Sequence, residues 1–289
     1  MFDQAKKNGP LIVFLVLLLC VSCLFYLDFH IKDKILTFAM LDVGQGDALF
    51  IESPSGTQIL VDAGPPGKLL SALSKVMSPF DRHIDAIVIT NPDADHIAGF
   101  LDVLKVYQVD MVLEPGTIND SKLYQNLEEQ IKYKKIPAVL ARKGMQLDLG
   151  GGVFIDILFP DRDVRVWSTN DGSIIARLSY GDTSIMLTGD STIKTEQIVL
   201  SENSPESLKS TILKVGHHGS RTSTGNAFTK TVAPTYALIS NGKDNNYGHP
   251  HRETLKTLEL FGVKVMRTDL LGTIIMKSDG LKETFSFLK

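Results

Sequence analysis

A chain of 289 residues, 43% of them apolar, is long enough for one large domain or two small ones and can bury a proper core. A net charge of −3 excludes a nucleic-acid binder that works by global basicity; any contact with a polyanion needs a local patch, for which Lys132, Lys134, Lys135, Arg142, Lys143 and Arg221 are candidates, although scattered surface cations are the simpler reading. Both cysteines, Cys20 and Cys23, lie in the N-terminal apolar segment, so the rest of the chain has neither a disulfide nor a thiolate metal ligand.

Leu11–Leu27 carries no charge; Lys6 and Lys7 precede it, and Asp28, His30, Lys32, Asp33 and Lys34 follow. Its length is at the short end for a membrane-spanning helix. A cleaved signal peptide is the rival reading, with Val21-Ser22 as a small-residue site, and cleavage would make the protein secreted. The expectation is an uncleaved anchor over residues 1–29, either a transmembrane or a signal-anchor helix. The preceding lysines place the N-terminus in the cytoplasm and residues 30–289 on the extracytoplasmic side of a bacterial cell membrane.

Beyond it, residues 35–62 read as a β-meander: strand Ile35–Val43, the turn Gly44-Gln45-Gly46-Asp47, strand Ala48–Ile51, hairpin chemistry at Pro54-Ser55-Gly56, and strand Gln58–Asp62. Lys68–Met77 has helical periodicity. Ile84–Ile89 is an apolar run that reads as a buried strand, and a helix is expected from His96 through Leu104. Strand and helix signals then alternate. Val109–Leu113 and Ala138–Ala141 are strands around an amphipathic helix, Ser121–Lys134. Met145–Phe159 reads as a hairpin about Gly150-Gly151-Gly152, and Ser173–Tyr180 with Thr183–Leu187 as a second. A helix follows Thr188-Gly189-Asp190-Ser191 through Leu200. Thr211–Val215 and Tyr236–Ser240 are strands, a helix starts near Arg252, and two or three short strands end the chain. This is an α/β pattern.

The candidate chemistry lies where these strands end. Asn91, Asp93, Asp95 and His96 crowd one loop, and Pro92 disfavours a helical Asn91. Carboxylates and an imidazole packed this closely call for a positive charge between them, and a divalent cation supplies it. An Asp-rich turn that merely caps a helix at Asp95 is the plainer alternative. Asp190, His217, His218 and His249 sit at three further strand ends. Five of the seven histidines (96, 217, 218, 249 and 251) fall in these loops, and such clustering favours a metal or catalytic centre.

In order, L-D-V-G-Q-G-D-A (41–48), L-V-D-A-G-P (60–65), T-N-P-D-A-D-H-I-A-G (90–99), N-D-G-S-I-I (170–175), L-T-G-D (187–190), K-V-G-H-H-G-S-R-T-S-T (214–224) and Y-G-H-P (247–250) resemble the metallo-β-lactamase-fold hydrolases. The likeness is strongest to the extracellular hydrolase domain of ComEC-type DNA-uptake (competence) proteins. It runs from about residue 36 to the C-terminus. The resemblance implies an αββα sandwich with the active site along one edge. It implies one or two divalent ions, Mn²⁺ or Zn²⁺, with Mg²⁺ also admissible. By analogy Asp93 serves the first ion with Asn91 marginal, Asp95 and His96 the second, Asp190 bridges, and His217 is a further ligand. Asp95 also belongs to the catalytic set. His218 and His249 face the substrate phosphate or protonate the leaving group, and Ser220, expected at a helix start, donates to a phosphate oxygen. Asp62, Asp42 and Asp47 would orient ligands, with strand-end turns as the equal alternative for the last two.

Asn91 departs from the family, which has histidine there. An amide oxygen is a weak, neutral ligand, so the first ion is loosely held or absent. The implied activity is that of a membrane-anchored phosphodiesterase or nuclease acting on DNA. A hydrolase of a small substrate (a cell-wall phosphodiester, a lactone or a β-lactam) and a degenerate, non-catalytic binding domain are the alternatives. ComEC-type proteins also carry a multi-helix channel and an oligonucleotide-binding domain, for which these residues have no counterpart. The expected partners are therefore the membrane, DNA and a separate DNA-uptake channel protein.

Overall fold

The computed structural model describes residues 13–23 and 35–289. Residues 13–23 form helix α1. Among the described residues no helix is long and apolar enough to cross a membrane. The two ends of the expected Leu11–Leu27 segment, with Lys6, Lys7 and residues 28–34, lie outside the described residues.

Residues 35–289 form one compact unit built on two sheets. The first contains β1 (Leu36–Met40), β2 (Leu49–Glu52), β3 (Gln58–Val61), β4 (His83–Val88), β5 (Gln108–Glu114), β6 (Ala138–Leu140), β14 (Thr273–Ser278) and β15 (Glu283–Leu288). Its order is β15-β14-β1-β2-β3-β4-β5-β6, antiparallel up to β3 and parallel from β3 to β6. The second contains β7 (Gln146–Asp148), β8 (Val153–Phe159), β9 (Ile175–Tyr180), β10 (Thr183–Leu187), β11 (Ile212–Lys214), β12 (Tyr236–Ile239) and β13 (Lys264–Arg267), ordered β13-β12-β11-β10-β9-β8-β7. It is antiparallel from β7 to β10 and parallel from β10 to β13.

Side chains alternate across each strand, and both faces are apolar because both are covered. Phe38, Met40, Leu49, Ile51, Val153, Ile155, Ile185 and Leu187 belong to a core shared by both sheets. Ala39, Phe50 and Leu60 point the other way, into a core completed by α2 (Leu69–Leu73), α4 (Phe100–Val106) and α5 (Lys122–Tyr133). Met186, Leu213 and Ala237 do the same on the second sheet against α6 (Ile193–Glu202), α7 (Pro205–Leu208), α8 (Asn226–Val232) and α9 (Arg252–Leu260). The layers are the expected αββα sandwich. The short helices α3 (Ala94–Ile97) and α10 (Thr268–Leu271) lie at strand ends.

Three boundaries differ from the sequence reading. The first strand ends at Met40 rather than Val43, because the chain leaves the sheet for the Gly44–Asp47 loop, which is tied to the second sheet's side by Ser240 Oγ donating to Gly46 O at 2.6 Å and Gly242 N to Gln45 Oε1 at 3.1 Å. The single helix expected from His96 to Leu104 is two, α3 and α4. They are separated where Gly99 presses on the backbone: a Cβ there would lie 2.1 Å from Ala63 O. The helix expected over Lys68–Met77 is only Leu69–Leu73. By contrast α5 follows its pattern, with Ser121 as N-cap accepting from Tyr124 N at 3.2 Å and Leu127 and Ile131 buried.

At the end of β5, burial and the neighbouring Glu128 push the Glu114 carboxyl up to about 7, against the Tyr124 hydroxyl 3.5 Å away. A carboxyl raised on folding stabilises the fold below its unfolded value and loses that contribution as pH rises through about 7. Glu114→Gln removes the loss. Discounted for partial exposure, the variant should be about 1–2 kcal/mol more stable than wild type at pH 8 and gain about 0.1 kcal/mol or less at pH 4. Thermal unfolding at both pH values checks this; an equal effect at the two would refute it.

Candidate metal centre

The centre forms where strands of both sheets end side by side. Asp62 follows β3, the Asn91–His96 loop follows β4, Asp190 lies beyond β10, Lys214 closes β11, and Ser240 follows β12. His96, Asp47, Asp62, Asp190, Lys214 and His218 are all buried. Burying this many ionisable groups is tolerable only if each meets an opposite charge or a hydrogen bond.

His96 is held from one side. Its Nδ1 lies 2.9 Å from Asp62 Oδ2, and Asp62 is itself fixed by Thr90 N at 2.8 Å and Thr90 Oγ1 at 2.6 Å. Nε2 therefore points to the opposite side, where it is buried, 3.1 Å from Asp190 Oδ2, with no hydrogen-bond partner among the described residues. His218 is arranged alike. Its Nδ1 lies 3.1 Å from Ser240 O and 3.3 Å from Asp47 Oδ1, and its Nε2 lies 3.2 Å from Asp95 Oδ2 and 3.5 Å from Asp190 Oδ2. Two imidazole nitrogens and two carboxylates thus converge. Asp95, His96 and His218 each offer a donor atom within 4.8 Å of the others. An orphaned imidazole nitrogen facing carboxylates, with the ring oriented from behind by a carboxylate, is how proteins prepare a metal ligand. The N/O donor set suits Zn²⁺ or Mn²⁺.

The electrostatics agree. Burial would push the His218 imidazole down, but Asp190 and Asp47 outweigh it and hold it up at about 10. His96, against the same opposition from burial, is held well above the usual imidazole value by Asp190 and Asp62. Burial would raise Asp190, yet His218 and His96 hold it well below the ordinary carboxylate range. A pocket that pulls protons this strongly onto two imidazoles is one short of positive charge.

The structure redistributes the roles expected from the sequence. His218, not His217, is the imidazole that converges with His96. His217 sits at the rim, a quarter exposed, with Nε2 3.7 Å from Asp190 and Nδ1 3.3 Å from Thr222 Oγ1. Asn91 is buried, and its amide shapes the loop: Oδ1 accepts from Asp93 N at 2.9 Å and Nδ2 donates to Ser173 Oγ at 3.3 Å. Asp93 accepts from Asn119 Nδ2 at 3.2 Å and Thr169 Oγ1 at 2.8 Å; it, rather than Asp95, occupies the N-cap position of α3, with no side-chain capping bond. Ser220 is not at a helix start. It is buried, with Oγ 2.9 Å from Thr222 Oγ1, and α8 begins only at Asn226. His249 borders the centre, its ring 5.6 Å from that of His217. Burial and then the imidazoles of His218, His217 and His251 push it down to about 4, which leaves the ring neutral near neutral pH. Asp42 is a turn residue, exposed and accepting from Gly44 N at 3.2 Å, whereas Asp47 is buried beside His218 and in contact with Lys214.

Lys214 is the functional residue that the sequence reading missed. Its ammonium donates to Gly189 O at 2.7 Å, contacts Asp47 Oδ2, and lies 3.8 Å from Asp190 Oδ1. Burial opposes its charge, but Asp47 and Asp190 keep its pKa above that of an ordinary lysine. The signal was there: a lysine inside the apolar strand signal Thr211–Val215 must be paired if that strand is buried.

Two backbone features hold the histidines. His217 and His218 both adopt left-handed conformations, φ 50° and 54°, at a cost of about 1–3 kcal/mol each. The S-R-T-S-T loop behind them is anchored by Glu196, which accepts from Thr224 N at 2.6 Å and Gly225 N at 2.8 Å. At Gly46, φ is 130° and a Cβ would lie 2.3 Å from Asp95 O, so only glycine lets the Asp47 loop reach the Asp95 backbone. The centre forms part of the wall of an open cleft of about 240 Å³, lined by Gln45, Asp93, Ala94, Asp95, Asp190, His217, His218, Tyr247 and His249.

Two substitutions separate these roles. Asp62→Asn keeps a residue that tolerates the left-handed φ of 58° but removes the charge behind His96, and should weaken metal binding by about 10–100-fold. Asp190→Ala should remove more metal than Asn91→Ala, because Asp190 faces both imidazoles while the Asn91 amide is engaged within its loop. Chelator competition and elemental analysis measure both; greater loss in Asn91→Ala would reverse the assignment.

Residues 41–243 match the Metallo-beta-lactamase superfamily. The chain is 33% identical over 273 residues to ComE operon protein 3 of Bacillus subtilis (strain 168), a match covering 86% of this chain and 34% of that protein. It is 27% identical over 234 residues to Competence protein ComA of Neisseria gonorrhoeae, covering 81% and 31%. It is 27% identical over 263 residues to Recombination protein 2 of Haemophilus influenzae, covering 90% and 31%. The chain thus spans about a third of the length of these relatives. Among solved structures, Igni18, a metallo hydrolase from Ignicoccus hospitalis, superposes with a TM-score of 0.52 at 15% identity over 88% of this chain and 100% of that one. The β-hydroxylase CmlA of Streptomyces venezuelae gives 0.52 at 15% identity over 89% and 54%. These two likenesses concern the fold. With the family match spanning more than half of its length, the chain belongs to the metallo-β-lactamase superfamily.

Proposed function

We propose that this protein is a metal-dependent phosphodiesterase that cleaves DNA, displayed on the extracytoplasmic side of a membrane. The observation that carries the reading is the convergence of His96 Nε2, His218 Nε2, Asp95 and Asp190 at an open cleft. Asp95, His96, Asp190 and His218 would hold a divalent ion, which would supply Lewis acidity and make water acidic enough to serve as a nucleophile near neutral pH. The protein's own residues do the rest. Asp62 and Ser240 O fix the tautomers of His96 and His218, so that both present Nε2 to the same point. His249 offers a neutral imidazole beside the centre for a proton in transit.

The cleft supports a polymeric substrate. It is open and polar, and smaller than the enclosed, largely apolar pockets that hold small ligands. Tyr247 stands at it two-thirds exposed, its ring stacked 5.7 Å from that of His249. An exposed aromatic face beside a phosphodiester-cleaving centre is a platform for an unpaired base. The similarity to Competence protein ComA and to Recombination protein 2 supports DNA as the polymer.

The full chain should cleave labelled single-stranded DNA with Mn²⁺, and Asp95→Ala should abolish cleavage. Tyr247→Ala should raise KM about tenfold, the loss of about 1.4 kcal/mol of stacking, with kcat little changed. Activity surviving in Asp95→Ala would mark a contaminant. No cleavage with Mn²⁺, Mg²⁺ or Zn²⁺ would sink the nuclease reading and promote a small-substrate hydrolase or a binding domain.

The placement outside the cytoplasm rests on Lys6 and Lys7 ahead of an uncharged segment. A C-terminal alkaline phosphatase fusion is expected to be active in bacterial cells; an inactive one beside an active cytoplasmic reporter would overturn the topology.

A further inference from the structure

The residues expected to hold a first ion are engaged elsewhere. Asn91 braces the Asp93 backbone and Ser173, and the two oxygens of Asp93 accept from Asn119 and Thr169. Among the described residues Asp93 belongs to no set of three His, Asp or Glu donors within 4.8 Å of one another. Asp190, the expected bridge, is divided between two kinds of partner. Its Oδ2 lies 3.1 Å from His96 Nε2 and 3.5 Å from His218 Nε2, while its Oδ1 lies 3.8 Å from Lys214 Nζ. The same ammonium contacts Asp47 and is anchored by Gly189 O. A carboxylate bridges two ions through one oxygen or through both: the one-oxygen bridge would need Asn91 and Asp93 free to hold the far ion, and both are engaged, while the two-oxygen bridge needs Oδ1 open. Here Oδ1 is buried without a hydrogen-bond partner among the described residues, 3.8 Å from the Lys214 ammonium, and another ion on that side would meet a buried like charge anchored by Gly189 O.

We propose that this is a one-ion centre: Asp95, His96, Asp190 and His218 hold a single divalent cation, and the Lys214 ammonium stands in for the second against Asp190 and Asp47. This rests on the reading of the site as a metal centre. Lys214 is then a positioning residue. It keeps Oδ1 of Asp190 turned from the ion and neutralises Asp47, which in turn sets the His218 ring.

The test is metal stoichiometry in the full chain purified in detergent, stripped with chelator, reloaded with Mn²⁺ and freed of excess. One ion per chain is expected for wild type and also for Asn91→His, because restoring an imidazole does not remove the ammonium. The double variant Asn91→His/Lys214→Met is expected to take up a second ion. The electron paramagnetic resonance spectrum of Mn²⁺-loaded wild type should be that of an isolated ion, which decides the matter even if the double variant fails to fold. Two ions in wild type, or an exchange-coupled spectrum, would overturn the proposal and leave the metal-centre reading standing. No ion in wild type would overturn both. A second ion in Asn91→His alone, or one ion in the folded double variant, would overturn the role given to Lys214.

Discussion

Everything at this centre answers one electrostatic problem. Asp47, Asp62 and Asp190 are buried within reach of His96, and Asp95 adds a fourth carboxylate beside His218. Carboxylates do not share a buried space unless cations share it with them. Lys214 supplies one charge. The remaining negative charge holds the His96 and His218 imidazoles above their ordinary value, a demand for positive charge that a divalent ion would meet. Because metal binding displaces protons from those imidazoles, ion affinity is tied to pH, and the ion also stabilises the fold that assembles the ligands.

The architecture makes this concentration of charge possible. In each sheet a parallel half follows an antiparallel one, and the neighbouring strands β3 and β4 of one and β10, β11 and β12 of the other end at the same edge of the sandwich. The central strands that end at this edge, β3, β10, β11 and β12, are buried along almost their whole length and bring most of their charged groups to where they stop. The layered core thereby fixes the backbone directly beneath the ligands. The two strained residues, His217 and His218, can be held in left-handed conformations because Gly189 O, the Glu196-anchored loop and Ser240 over-determine them.

The strand ends were legible in the sequence because period-2 runs and Gly/Asp punctuation mark them. The layers were legible only through the resemblance, whose motifs implied an αββα sandwich. Asp95, His96 and Asp190 were legible because they sit at those ends with few alternatives. The order of His217 and His218 was not. Adjacent residues in a turn point apart, and which one faces inward depends on the left-handed backbone of both, which no local pattern encodes. Nor could spacing show that Asn91 and Asp93 are occupied by Ser173, Asn119 and Thr169, since these partners come from loops far along the chain. Lys214 escaped for a related reason. A lysine at a strand end reads as solvated until its strand is known to be central and its neighbours acidic.

The departure at Asn91 therefore has a different meaning in three dimensions from the one it has along the chain. Read locally, it weakens a ligand and casts doubt on the centre. Read with its partners, it belongs to a consistent set of changes in emphasis. The amide braces the loop that presents Asp95 and His96, Asp93 is tied to two neighbours, and the charge on the far side of Asp190 is covalently part of the chain. A tethered ammonium cannot dissociate, which a loosely held ion in the same place would do. The cost is chemical: an ammonium stabilises negative charge and donates protons, but it does not ligate water or a leaving oxygen. With one ion, as proposed, stabilisation of a leaving group would fall to the rim, where His217 and His249 stand beside the cleft.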